Sequence, residues 1–226
     1  MVKICISIVS ENITQLKNDI QLILQQPFDC IEWRMDCVEN FSEIEPMAAL
    51  IHFNFHCPCI LTLRSRKEGG YCDELDYERY YNPIIQQGWA SYIDIELNSD
   101  CLDSVAFAKK HHVKVIGSYH CLKNAVSDSV IRGLYNSALD KQCDVFKIAT
   151  FPNDMQEVCE QLLCTYDLSL RNEMEIISIC MGEVGKISRV IAGLFGSMFT
   201  FASSNKKSAP GQIEAIKMKQ YLELFD

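Results

Sequence analysis

Short apolar, β-branched runs recur along the chain at Ile4–Val9, Cys30–Arg34, Cys59–Arg64, Tyr92–Leu97, Val113–Tyr119, Asp144–Ala149, Glu175–Cys180 and, least sharply, Ser197–Phe201. Runs of this length read as buried strands. Between them the apolar positions change to helical spacing, as in Ile13, Leu16, Ile20, Ile23 and Leu24, or Val184, Ile187, Val190, Ile191 and Leu194. A last helix, after Pro210-Gly211, carries Ile213, Ile216, Tyr221 and Leu224. Eight strands alternating with helices predict an α/β chain and, first of all, a compact (β/α)8 TIM barrel. At about 28 residues per unit it lies at the short end of a fold that usually takes ~250 residues. An open doubly wound sheet would show the same alternation, but no Gly-x-Gly-x-x-Gly follows the first strand to mark a dinucleotide site. No linker, low-complexity stretch or exact repeat interrupts the pattern, so residues 1–226 are expected to form one domain.

Composition narrows the function classes. Nearly half of the residues are hydrophobic, enough to bury a sizeable core. The longest weakly polar run, Val190 to Ala202, is broken by Gly193, Gly196 and Ser197 and falls short of the roughly 20 apolar residues a membrane helix needs. The start, Ile4-Cys5-Ile6-Ser7-Ile8-Val9, reads as a strand and not as a signal peptide. A net charge of −9 with dispersed lysines and arginines disfavours nucleic acid or an anionic membrane as partner. Twelve cysteines without a secretion signal read as reduced thiols of a cytoplasmic protein. His56-Cys57-Pro58-Cys59 has no second pair at zinc-like spacing, so no metal site is expected.

In a barrel the chemistry sits at the C-terminal strand ends and the loops that follow. The second strand ends Glu32-Trp33-Arg34-Met35-Asp36, and two-residue alternation turns Glu32 and Arg34 to one face, either as site residues or as an ion pair lining the barrel. Arg64-Ser65-Arg66-Lys67-Glu68-Gly69-Gly70 puts a cation at the mouth and a carboxylate in a glycine loop, and the fifth strand delivers His120. The sixth embeds Lys147 in the apolar Val145-Phe146-Lys147-Ile148-Ala149. A lysine at its ordinary pKa is neutral in roughly one molecule in two thousand at pH 7. Burial and the cations Arg64 and Arg189 are expected to lower it and arm the amine; taken alone, the segment suits a snorkelling lysine equally well. Arg189, past the seventh strand, has the fork to grip a carboxylate. Ser203 to Gln212 has the composition of a lid.

Taken together, Glu32 to Asp36, Arg64 to Gly70, His120, Lys147 within Phe146-Lys147-Ile148-Ala149, Met181-Gly182 through Ile187-Ser188-Arg189, and Ser208-Ala209-Pro210-Gly211-Gln212 resemble the type I 3-dehydroquinate dehydratases of the shikimate pathway, from first strand to last loop. The resemblance implies that Lys147 forms an imine with the ketone of 3-dehydroquinate. His120 would remove the C2 proton and protonate the departing C1 hydroxyl, giving 3-dehydroshikimate by syn elimination. It further implies that Glu68 orients His120, that Arg189 binds the substrate carboxylate, that Glu32, Arg34 and Arg64 hold ring hydroxyls, that Ser208 and Gln212 close over the substrate, and that Ser7 contacts it. No cofactor is implied, and the state implied is a homodimer. In some relatives, notably plant enzymes, a shikimate dehydrogenase domain follows. Two departures stand out: Ile179, where many members have methionine, and Arg66, where a small residue is common.

Two other functions are compatible with a buried strand-end lysine. Another Schiff-base barrel, such as a transaldolase-like aldolase, would share the strand-end lysine but needs a phosphate-binding glycine loop near the last strands, where this chain has Arg189 and Ser-Ala-Pro-Gly-Gln. A non-catalytic barrel that binds a carboxylated ligand or acts as an interaction module would have no need of both Lys147 and His120.

Overall fold

A computed structural model describes residues 2–204 and 208–225. Strands β1 (Lys3–Ile8), β2 (Cys30–Arg34), β3 (Cys59–Thr62), β4 (Tyr92–Glu96), β5 (Lys114–His120), β6 (Val145–Thr150), β7 (Glu175–Cys180) and β8 (Phe199–Ala202) fall on the eight apolar runs. They are joined by α1 (Ile13–Ile23), α2 (Ile44–Asn54), α3 (Tyr77–Gln86), α4 (Leu102–Lys110), α5 (Asp128–Asp140), α6 (Met155–Ser169), the short α7 (Gly182–Gly185) and α8 (Ser188–Ile191), and closed by α9 (Ala215–Leu222). All strand pairs are parallel, in the order β7-β6-β5-β4-β3-β2-β1-β8. A bridge between Ile176 and Ser197 joins β7 to the approach of β8. The sheet thus curls into a nearly closed (β/α)8 barrel, and the open doubly wound alternative falls.

Each strand carries two kinds of side chain because alternation is enforced by the pleat. Those pointing outward, such as Ile6, Ile31, Trp33, Leu61 and Ile93, pack under Leu16, Ile20, Met47, Tyr81 and Ile84 of the helices. Each such aliphatic group contributes on the order of 1.5–3 kcal/mol when removed from water. Those pointing inward form a dry floor of Cys5, Cys30, Ile60, Tyr92, Ile116, Val145, Ile177 and Phe199. One step further toward the C-terminal ends the inward positions become Ser7, Glu32, Thr62, Asp94, Ser118 and Lys147, all buried. The floor seals this polar layer from the opposite end of the barrel.

Two helical expectations are corrected. The run from Val184 to Leu194 is not one helix resting on an apolar stripe: it breaks into α7, α8 and a 3-10 turn, Ala192–Phe195. Ser188 and Arg189 are buried, while Val184, Ile187 and Leu194 are exposed. The Ser188 hydroxyl takes the Cys180 N–H at 3.0 Å, so polar contacts to the strand end set which side faces in. The last helix likewise buries Ala215, Met218 and Leu222 and exposes Ile216 and Tyr221, with Leu224 exposed just beyond it. The twelve cysteines are free thiols, and no described helix is long and apolar enough to cross a membrane.

Candidate active site

The loop after β3 shows how local sequence places a functional group. Ser65 pairs with Cys72 and its hydroxyl caps the N–H of Glu68 at 3.3 Å, nucleating the 3-10 turn Arg66–Glu68. Gly69 closes the turn at φ 88°, a conformation glycine adopts without strain. A Cβ on Gly70 would lie 2.1 Å from the Arg64 carbonyl oxygen, so only glycine fits there. The result is a buried Glu68 carboxylate directed at β5.

There it meets His120. Glu68 Oε2 accepts the His120 backbone N–H at 3.1 Å and lies 2.9 Å from Nδ1. Since Oε2 already accepts one N–H, the ring is assigned with its proton on Nδ1, which leaves the Nε2 lone pair free. Burial, reinforced by Arg64 and Lys147, holds the imidazole well below its ordinary pKa. Both effects favour the neutral imidazole. Burial pushes Glu68 up to about 8 against the pull of Arg64; a proton gained there can sit on Oε1 without disturbing the contact to Nδ1.

Lys147 lies at the centre of the polar layer. Its Nζ is 3.0 Å from Glu32 Oε1 and 2.9 Å from Asp94 Oδ2, and 4.7 Å from the centre of the Phe201 ring. Burial pulls its pKa down, but Asp94 and Glu32 outweigh burial and Arg64 together, and the net direction is up. This overturns the expectation of a lysine lowered by Arg64 and Arg189. Two carboxylates contributed by other strands hold the resting side chain as an ammonium. It is equally not a snorkelling lysine, being only 3% exposed.

The remaining charges are paired with one exception. Glu32 takes the hydroxyls of Ser7 at 2.8 Å and Thr62 at 3.1 Å. Burial pushes it up, yet Lys147 and Arg34 bring it below its ordinary value. An ion pair does line the barrel at Glu32, but its partner is Lys147; Arg34 is instead held through two nitrogens by Asp36, at 2.8 and 2.7 Å. Arg64 is bound by Asp94 at 2.7 Å. Arg189 has no carboxylate among the described residues. Its two terminal nitrogens donate to the carbonyls of Phe201 at 3.2 Å and Pro210 at 3.0 Å, and its Nε, though buried, has no partner among the described residues. Burial accordingly pulls its pKa down to about 10. A desolvated guanidinium with an idle donor calls for an anion.

All ten residues singled out from the sequence, Ser7, Glu32, Arg34, Arg64, Glu68, His120, Lys147, Arg189, Ser208 and Gln212, line one cavity at the C-terminal end of the barrel. Gln212 donates to the Ser208 hydroxyl at 2.9 Å and accepts the Ser208 N–H at 2.7 Å, which folds this segment over the cavity. The middle of the expected lid, residues 205–207, lies outside the described residues. Ile179 lines the cavity wall, whereas Arg66 pairs with Asp73 at the surface and is remote from the chemistry. Sequence reasoning passed over Asp94, Glu96 and Ser118. The signal was present: Tyr92-Ile93-Asp94-Ile95-Glu96 alternates, so both carboxylates share the inward face. Glu96 accepts the N–H and hydroxyl of Ser65 at 2.7 and 2.8 Å, anchoring the loop that carries Glu68.

Among proteins of known function, the 3-dehydroquinate dehydratase of Alkaliphilus oremlandii is 34% identical across 100% of this chain and 92% of its own length. Among solved structures, the 3-dehydroquinate dehydratase of Geobacillus kaustophilus superposes with a TM-score of 0.93 at 26% identity, covering 100% of this chain and 91% of its own. The type I enzyme of Clostridium difficile, solved with covalently modified comenic acid, gives 0.89 at 29% identity, covering 99% and 92%. The family model described as type I 3-dehydroquinase matches residues 4–226, and the chain belongs to the type I 3-dehydroquinate dehydratase family.

Proposed function

We propose that this chain dehydrates 3-dehydroquinate to 3-dehydroshikimate, in the shikimate pathway, through an imine at Lys147. Family membership over the whole barrel supports the reaction. The observation that carries the residue assignment is the pairing, in one cavity, of an anchored lysine with a neutral histidine and an arginine that has no carboxylate among the described residues. The aldolase alternative gives way with the family.

The substrate carboxylate binds Arg189, whose idle Nε supplies a second donor beside a terminal nitrogen. This turns the ketone toward Lys147, while Glu32, Arg34 and Arg64 take ring hydroxyls and Ser7, Ser208 and Gln212 complete the wall. The ammonium gives up a proton before attack; Glu32, 3.0 Å from Nζ and on the cavity wall, is the acceptor. The amine adds to the carbonyl carbon, water leaves, and a protonated imine results. His120 Nε2 then removes the C2 proton, the electron pair moves through C2 and C3 to nitrogen, and the enamine expels the C1 hydroxyl, which takes its proton from the same histidine. Hydrolysis of the imine releases product and lysine. No step calls on a metal or cofactor. The reading includes one catalytic domain acting as a homodimer in the cytoplasm, with no nucleic-acid partner, in keeping with the net charge of −9.

Incubation with 3-dehydroquinate and sodium borohydride should add one reduced ligand to the intact mass, mapped to Lys147 by peptide sequencing. An unchanged mass at saturating substrate removes the imine. Arg189→Ala should lower kcat/KM by roughly 10- to 100-fold, the range for losing a hydrogen bond to a charged group, mostly through KM. Arg189→Lys should recover little, because an ammonium lacks the fork. Unchanged steady-state constants for Arg189→Ala would take it out of the site.

A further inference from the structure

Asp94 does not line the cavity and has no part in the steps above, yet it is wholly buried and touches the reacting nitrogen. Its Oδ2 lies 2.9 Å from Lys147 Nζ. Its Oδ1 accepts from Arg64 at 2.7 Å and from the Ser118 hydroxyl at 2.6 Å, and that hydroxyl itself accepts from Arg64 at 2.8 Å. Carboxylate, guanidinium and hydroxyl thus close a ring that fixes Oδ2 against the lysine. We propose that Asp94 is the fixed counter-ion of the Lys147 nitrogen, keeping it protonated first as the resting ammonium and then as the iminium through which the C2 proton is lost. The proposal rests on the imine reading.

Two anions touch Nζ, and their surroundings divide the work. Glu32 borders the cavity, where it meets substrate and exchanges protons. Asp94 stands in the same polar layer but off the cavity wall. Burial pushes the Asp94 carboxyl up, but Arg64 and Lys147, with a smaller pull from His120, hold it well below the usual carboxylate range. That holds it as the anion, with Oδ1 already engaged by Arg64 and Ser118. A permanent anion at this distance has one electrostatic consequence, which is to favour positive charge on nitrogen. That charge matters because a neutral imine is a poor sink: only with nitrogen protonated can the C–H electron pair become the C2–C3 double bond while the C=N pair neutralises the cation. The charged and titratable groups facing Nζ are Glu32 from β2, Arg64 from the loop after β3, Asp94 from β4, His120 from β5 and Cys5 from β1. Those facing Asp94 are Arg64, Lys147, His120, Glu32, Glu68 and Tyr81.

Asp94→Asn removes the anion and leaves Arg64 in place, so the nitrogen deprotonates at lower pH in both its forms. The pH at which borohydride-trappable imine appears, and the alkaline limb of kcat, should both move toward acid by about 1–3 units, the span for an opposite charge at contact. With the iminium titrating below the assay pH, kcat falls about tenfold for each unit of that movement, while KM stays near the wild-type value. Ser118→Ala keeps every charge but frees the carboxylate from its ring, and should move both limbs the same way by less. If Asp94→Asn does not fold, Ser118→Ala carries the test alone. Limbs that stay in place in a folded variant overturn the proposal even if activity drops, because that is the signature of a merely structural role. Wild-type protein is the control: no trapping at Lys147 in wild type means that the imine reading itself has failed, whereas trapping with unmoved limbs in the variants overturns the Asp94 proposal alone.

Discussion

Lys147→Met is expected to reduce turnover to background, a loss on the order of 10⁵–10⁶ in kcat, the scale seen when a covalent nucleophile is removed. The mass shift with substrate and borohydride should vanish with it. Residual turnover within about a hundredfold of wild type would mean that the imine is not the route. The same variant tests the electrostatics. Lys147 is the ammonium that Glu32 pairs with at 3.0 Å, whereas Asp94 keeps Arg64 at 2.7 Å. Methionine therefore strands Glu32 in particular, and breaking a buried pair in this way costs about 3–5 kcal/mol. In wild type, Glu32 is held below its ordinary value, so its contribution to stability is present above the unfolded-state pKa and is lost as pH falls. In the variant, burial without the ammonium raises Glu32, and the penalty disappears as pH falls through that raised value. The gap in melting temperature between wild type and variant should be widest near neutrality and narrow on acidification; a gap independent of pH would contradict the pairing.

The second large effect is at His120. His120→Ala should still form the borohydride-trapped imine, since Lys147, Glu32 and Asp94 are untouched, but lose about 10²–10⁴ in elimination, the usual contribution of a placed general base. Near wild-type turnover would remove the assignment. Because burial and the cations Arg64 and Lys147 hold the imidazole well below its ordinary value, it remains a competent base in mildly acidic buffer. In wild type the acid limb that reports this group should therefore lie below pH ~6.5.

Why so much of the site was legible in the sequence is plain from where its residues sit. Arg34, Arg64 and His120 stand at or just past the C-terminal ends of their strands, Glu32 and Lys147 lie one inward position earlier, and a barrel directs all of these positions toward one mouth. Polar side chains there have no structural excuse in sequence terms. Asp94 and Ser118 share that parity and stand in the same polar layer as Glu32 and Lys147, with Ser118 level with Lys147, but they were read as part of the apolar runs around them. The stripe Val184, Ile187 and Leu194 misled for the opposite reason. Its periodicity is genuine, yet Ser188 and Arg189 won the inward face through contacts to Cys180, Phe201 and Pro210.

The sequence by itself determined the alternation of eight strands with helices, the parity of every inward side chain and the set of chemical groups available at the mouth. These follow from local periodicity and neighbour effects within one strand or turn. Only the tertiary structure decided which charge meets which. Lys147 finds Glu32 across 115 residues of chain and Asp94 across 53, while Arg189 has no carboxylate among the described residues. Those partners depend on closure of the barrel and on strand register, and Coulomb energy depends on the resulting distances. For that reason the sequence pointed to a lysine made reactive by cations, and the fold produced one held charged by two anions.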